Sequence, residues 1–198
     1  MSEPLVVVMA KAPELGKVKT RLAKVLGDEE TLKLYEFLLH LTLQNVDESG
    51  FSHRTYWTTR PNDHSGEIFL QIEGDLGEKM KAVFEDSFAY HSPVIMIGTD
   101  CPVVTPEVLS TAINALKEVD CVFGPANDGG YYLIGMKTFS SEVLDGIAWS
   151  TEKVLQQSLE ICEKNGLKYR LLETLTDIDE EKDWIEYINK ENSLWKKF

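Results

Sequence analysis

Pro93-Val94-Ile95-Met96-Ile97-Gly98-Thr99-Asp100-Cys101-Pro102 is the stretch on which the fold turns. Four aliphatic residues in a row, without polar alternation, suit a strand covered on both faces, as in parallel sheets flanked by helices. The run stops at a glycine and a carboxylate, so the strand would hold Asp100 at its carboxyl tip. Leu5 to Met9 carries the same signature and ends before Lys11.

Between these runs the periodicity becomes helical. Leu32, Tyr35, Leu39, Thr42, Leu43 and Val46 share one helix face, with Asp28 as the expected N-cap after Gly27. Arg54–Thr59 reads as a second strand, and Phe69–Ile72 as a short one before a helix bearing Leu76, Met80, Val83, Phe84 and Phe88. Beyond the opening stretch, Thr105 and Pro106 suit N-cap and N1 of a helix with Leu109, Ala112, Ile113 and Leu116. Strands follow at Cys121–Gly124, Tyr131–Met136 and Lys168–Glu173, with a helix capped by Ser150 and closed by Gly166, and a last helix around Trp184, Ile185 and Ile188. Helical spacing makes Trp184 a core residue, while Trp149 and Trp195 suit a core or an interface. This alternation predicts an α/β fold, a Rossmann-like, mostly parallel twisted sheet with helices on both faces, whose ligands lie beyond the carboxyl ends of the strands.

Composition narrows the function. A chain of 198 residues with 43% hydrophobic and 27% charged residues fits one domain spanning 1–198. No run approaches the ~20 apolar residues of a membrane span, and Glu3 precedes the first apolar run where a signal peptide would carry cations. Cys101, Cys121 and Cys162 are widely spaced and odd in number, which suits a reducing, cytoplasmic setting. A net charge of −13 argues against nucleic-acid and anionic-membrane partners. Positive charge nevertheless concentrates early: Lys11, Lys17, Lys19, Arg21 and Lys24 face only Glu3 and Glu14 before residue 28.

Four segments can carry chemistry. Lys11-Ala12-Pro13-Glu14-Leu15-Gly16-Lys17-Val18-Lys19-Thr20-Arg21 leaves the first strand and enters a helix, offering backbone N–H groups and flexible cations to phosphate oxygens, or simply a solvated basic turn. It is not a P-loop, because Lys11 stands where the first glycine is required. Asp100 could give a hard divalent cation an oxygen ligand, or cap a turn. Cys101 at that tip could be read as a nucleophile, yet His40, His53, His64 and His91 offer it no recognisable partner. In Gly124-Pro125-Ala126-Asn127-Asp128-Gly129-Gly130-Tyr131-Tyr132, paired glycines permit close backbone approach and Asp128 could accept from hydroxyls or act as a base; a hairpin turn has the same composition. In Asp177-Ile178-Asp179 the period-two spacing sends both carboxylates to one side, where they could join Asp100 around a metal, or cap the last helix.

Taken in order, Lys17-x-Lys19-Thr20-Arg21-Leu22, Gly98-Thr99-Asp100-Cys101-Pro102, the motif from Gly124 to Gly135 and Asp177-x-Asp179 resemble the DUF2064 family of bacterial glycosyltransferase-like proteins, within the nucleotide-diphospho-sugar transferase (GT-A) superfamily. The resemblance implies a metal-dependent transferase that takes a nucleotide-diphosphate-sugar and passes its glycosyl group to an acceptor. Carried over, Lys11, Gly16, Lys17, Lys19 and Arg21 would bind the nucleotide phosphates, and Gly129 and Gly130 would face the sugar or acceptor. Asp100, with Asp177 or Asp179, would hold Mg²⁺ or Mn²⁺, and Asp128 would be the acceptor-side base. One feature departs from the glycosyltransferase pattern: the strand tip carries a single carboxylate where an Asp-x-Asp pair is usual. A lone Asp before proline also resembles nucleotidyltransferases of the same superfamily, including those that join a guanylyl group to a phospho-acid. Such an enzyme would use an NTP and a phosphorylated acceptor and release pyrophosphate. A third possibility is a nucleotide-binding protein without turnover.

Overall fold

The computed structural model describes residues 3–62 and 67–190. β1 (Leu5–Ala10) and β4 (Val94–Ile97) lie side by side in parallel, with Leu5 opposite Val94 and Val8 opposite Ile97. Their unbroken apolar runs have the expected cause, since each face of the pair meets a different core. Val6, Val8, Ile95 and Ile97 pack under α2 (Asp28–Glu48) and α4 (Pro106–Ala115), while Leu5, Val7, Val94 and Met96 pack against α3 (Leu76–Phe88) and α5 (Val154–Lys164). Burying one such aliphatic side chain contributes roughly 1.5–3 kcal/mol, so these four-residue stripes hold the sheet's centre in place.

β2 (Ser52–Trp57), β3 (Phe69–Leu70), β5 (Cys121–Pro125), β6 (Tyr131–Met136) and β7 (Tyr169–Leu171) complete a seven-stranded sheet in the order β3-β2-β1-β4-β6-β5-β7. The sheet is parallel except at β6, which runs antiparallel to both β4 and β5. β5 and β6 are therefore a hairpin inserted into a parallel sheet. Gly135 permits the insertion, because a Cβ there would stand 2.6 Å from Ile95 and 2.7 Å from Val122. Two short helices, α1 (Thr20–Leu26) and α6 (Glu181–Lys190), pack on the start of α2 through Leu22, Leu34, Leu38, Ile178 and Trp184, which bears out Trp184 as core.

The structure corrects several local expectations. Asp28 is the first helical residue rather than the N-cap, a position Gly27 takes with φ 80°, and acid in the first turn still complements the helix dipole. Ser150 does not cap α5; it sits in a loop at φ 63°, and the helix begins at Val154 after Lys153. Thr105 and Pro106 hold the predicted N-cap and N1 positions, and Gly166 turns the chain after α5 with φ 67°. Trp195 and His64 lie outside the described residues. Among the described residues, no helix is long and apolar enough to cross a membrane.

Candidate active site at the strand tips

The carboxyl ends of β1, β2, β3 and β4 and the amino end of the reversed β6 open on one edge, where a cleft of about 710 Å³ runs between the helix layers. That volume suits a small organic ligand. At its centre lies Lys19, which caps α1 in a left-handed conformation (φ 45°, ψ 45°) and has a side chain only 5% exposed. Its ammonium reaches Asp100 Oδ1 at 2.5 Å and Asp179 Oδ1 at 3.1 Å, and donates to the Ile178 carbonyl at 2.6 Å. The two carboxylates are 46% and 41% exposed, so each keeps a side turned to the cleft.

The late acidic segment is held there by backbone. Ile178 N donates to the Asp100 carbonyl at 2.8 Å, and the Ile178 side chain is buried beneath α2. Asp177 and Asp179, on either side of it, both line the cleft, as period-two spacing requires. At the start of α6, Asp183 reaches back to accept from Asp179 N at 3.2 Å and Glu180 N at 2.8 Å. Asp177 Oδ1 is buried without a hydrogen-bond partner. Burial, then the neighbouring Asp100 and Asp128, push the Asp177 carboxyl up to about 7, against the opposing pull of Lys19. Burial beside Asp177 pushes the Cys101 thiol above its ordinary range, which disfavours the thiolate that a nucleophilic cysteine needs.

Lys11 and Arg21 are exposed at the cleft edge. Tyr35, from α2, fixes the backbone at Lys11: its hydroxyl donates to the Lys11 carbonyl at 2.8 Å and accepts from the Lys11 N–H at 2.9 Å. Lys17 points elsewhere, pairing with Glu14 at 2.5 Å on the surface, and Gly16 also lies outside the cleft lining. Asp128 and Gly130 line one wall of the cleft, where Asp128 Oδ1 accepts from Gly130 N at 2.8 Å. Turn chemistry and cleft position thus coincide in this residue. Gly129 stands behind the wall at φ 88°, so close to the next loop that a Cβ would lie 2.2 Å from the Glu152 carbonyl oxygen.

Sequence reasoning missed several contributors to the cleft. Lys79 and Leu76 come from one face of α3, Gln71 from just beyond β3, and Trp149 from the loop before α5. Trp149 lies against Gly77, where a Cβ would meet the indole Nε1 at 2.4 Å, and meets Tyr131 edge to face at 6.4 Å. The close fit at Gly77 is a signal only in hindsight. Lys79 falls at i+3 from Leu76 and i−1 from Met80, so periodicity assigns it to a boundary and cannot tell solvent from cleft.

Oxygen donors, a carboxylate with one buried unpaired oxygen and nearby cations suit a hard divalent ion that arrives with phosphates, since such ions often take one or two protein carboxylates and complete their shell from substrate. Among the described residues no group of three ligands stands ready as a cage. Lys19 occupies the space between Asp100 and Asp179 instead.

Comparison with known proteins agrees with this architecture. A protein of Desulfovibrio desulfuricans G20 classed with the nucleotide-diphospho-sugar transferases superposes with a TM-score of 0.90 at 31% identity, covering 98% of this chain and 90% of its own. A 2-phospho-L-lactate guanylyltransferase of Methanocorpusculum labreanum is 26% identical over 171 residues, 85% of this chain and 76% of its own length. The manganese complex of Rv0371c from Mycobacterium tuberculosis H37Rv shares the fold alone, with a TM-score of 0.60 at 13% identity over 95% of this chain and 99% of that one. Fold and strand-tip cleft define a transferase of the nucleotide-diphospho-sugar transferase class. Within it the chain belongs to the DUF2064 family, described as "Uncharacterized protein conserved in bacteria", whose model matches residues 40–151.

Proposed function

We propose that the protein is a nucleotidyltransferase: it binds a nucleoside triphosphate and lets an oxygen of an anionic acceptor displace pyrophosphate from the α-phosphorus. The observation that carries this reading is the buried Lys19 ammonium beside a single strand-tip carboxylate, with Lys11, Arg21 and Lys79 around the same cleft. A triphosphate brings more negative charge than a sugar nucleotide, and fixed cations stabilise charge as it builds on phosphoryl and leaving-group oxygens. Lys19 is suited to that task because its buried ammonium is already positioned by Asp100, Asp179 and a carbonyl, and an entering phosphoryl oxygen would take over one of these three contacts. Similarity to the guanylyltransferase over most of the chain supports the same choice.

Asp100 with Asp177 would hold Mg²⁺ or Mn²⁺ carried by the phosphates, and Asp179 would stay with Lys19. When bound, the ion would neutralise phosphate charge. Asp128, on the acceptor-side wall, would orient or deprotonate the attacking oxygen. The unit acting is residues 1–198, in the cytoplasm, with small molecules rather than nucleic acid as partners; the acidic composition supports the last point.

Glycosyl transfer from a nucleotide-diphosphate-sugar is the second reading, favoured by the 31% identical relative and by the glycine-bordered Asp128 wall. The two part on their products. Incubation with each NTP and a panel of phosphorylated acids should release pyrophosphate, and Lys19→Met should abolish the release. Free nucleoside diphosphate from a sugar nucleotide, with no pyrophosphate from any NTP, would overturn the first reading in favour of the second. Binding without turnover of either donor would support a non-catalytic nucleotide-binding protein.

A further inference from the structure

Gln71 follows the last residue of β3, and its backbone N–H continues the ladder by donating to the Trp57 carbonyl at 2.9 Å. Its side chain turns back to β1 and β2. The amide Nε2 donates to the Tyr56 carbonyl at 2.8 Å and to the Ala10 carbonyl at 3.2 Å. Both N–H groups are therefore spent on main chain. The reverse orientation would set Oε1 against two carbonyl oxygens, so hydrogen bonding fixes which end of the amide is free. Gln71 also lines the cleft. Its remaining polar group is an acceptor held by the sheet.

The location follows from strand order. β3, β2, β1 and β4 are consecutive neighbours, so the β3 tip lies three strand spacings, roughly 14 Å, from the β4 tip that carries Asp100. A nucleotide with its phosphates at Lys19 and Asp100, extended along the strand tips, brings its base to Thr58 and Gln71. Resting on the proposed nucleotide reading, we infer that Gln71 Oε1 reads the nucleobase and selects bases with an exocyclic amine. An amine offers two N–H groups to a fixed acceptor. Uracil offers only its ring N3–H, flanked on both sides by carbonyl oxygens that would approach Gln71 Oε1. Sites built to pair a hydrogen bond discriminate strongly, because the wrong ligand leaves a polar group unpaired.

Calorimetric titration of the full chain with GTP, ATP, CTP, UTP and inorganic tripolyphosphate, in Mg²⁺, tests this. The tightest amine-bearing nucleotide should exceed UTP in affinity by about tenfold or more. Gln71→Met should bring that ratio below about threefold and leave tripolyphosphate affinity within about twofold, which also verifies the fold of the variant. Deleting the amine from the ligand asks the same of the unaltered protein: ITP should bind about tenfold more weakly than GTP, or purine riboside triphosphate than ATP, for whichever parent binds best. If the best binder is CTP, the corresponding deletion is 2-pyrimidinone riboside triphosphate, which lacks the 4-amino group. Equal affinity for UTP and the other three, or a ratio that survives Gln71→Met, overturns the inference alone. Absence of binding by every NTP overturns the nucleotide reading with it.

Discussion

Replacing Asp177 by Asn should stabilise the metal-free protein above neutral pH and leave it unchanged in acid. Burial and the surrounding Asp100, Asp128 and Asp179 raise this carboxyl from an ordinary 3.8 to about 7 in the folded state. Between those limits the folded protein binds a proton that the unfolded chain has lost, so stability falls as pH rises through the window and the full cost is present above it. At ~1.4 kcal/mol per tenfold change in proton affinity, the displacement sets a ceiling of about 4 kcal/mol. Partial access of the cleft to water lowers the expectation to about 2 kcal/mol. For a chain of this size that is a rise of roughly 4–8 °C in melting temperature. The assay is thermal unfolding of both proteins in chelator at pH 4 and pH 8. Wild type and Asp177→Asn should melt together at pH 4 and separate at pH 8 with the variant higher. An equal difference at both pH values, or a variant less stable at pH 8, would refute the account of a carboxylate charged against its surroundings. Added Mn²⁺ should narrow the gap, since charging Asp177 is what a cation would reward.

Gly129→Ala should cost about 2–4 kcal/mol in urea denaturation, because the residue sits at φ 88° and its new Cβ meets the Glu152 carbonyl oxygen at 2.2 Å; a change under ~0.5 kcal/mol would mean that the 149–152 loop yields freely. Cys101→Ala should keep turnover within about twofold and lose about 1 kcal/mol of stability, as expected of a buried thiol that stays protonated. Abolished turnover in a folded Cys101→Ala protein would reinstate the thiol as a catalytic group.

The sheet's centre and the acidic half of the cleft were legible for local reasons. Unbroken aliphatic runs announced β1 and β4, and each ends at the tip where Lys11 and Asp100 stand. Asp177 and Asp179 share a side because the segment is extended, and the buried Ile178 between them fixes which side. The direction of β6 was not legible, since an apolar strand reads alike in either sense and the Asp-Gly-Gly turn fits both a hairpin and a ligand loop. Composition groups Lys17 with Lys19, but the turn closed by Lys17 N and the Glu14 carbonyl leaves Lys17 beside Glu14 at the surface while Lys19 turns inward. Gln71, Lys79 and Trp149 reach the cleft through tertiary packing alone, and no spacing rule announces that.

Lys19 joins these levels. A non-glycine residue at φ 45° is unfavourable by about 1–2 kcal/mol, and such strain persists where surrounding contacts over-determine it. Here the compensating contacts are two carboxylates and a carbonyl drawn from β4's tip and the Asp177–Asp179 segment. Those two segments are themselves tied by the bond from Ile178 N to the Asp100 carbonyl. The left-handed turn therefore carries a cation from an exposed basic loop into an acidic cleft and anchors it on both sides. A glycine at this position would relieve the backbone but remove the ammonium, leaving Asp100, Asp177 and Asp179 to repel one another. The strained conformation persists because the charge it delivers is what allows the carboxylates to converge.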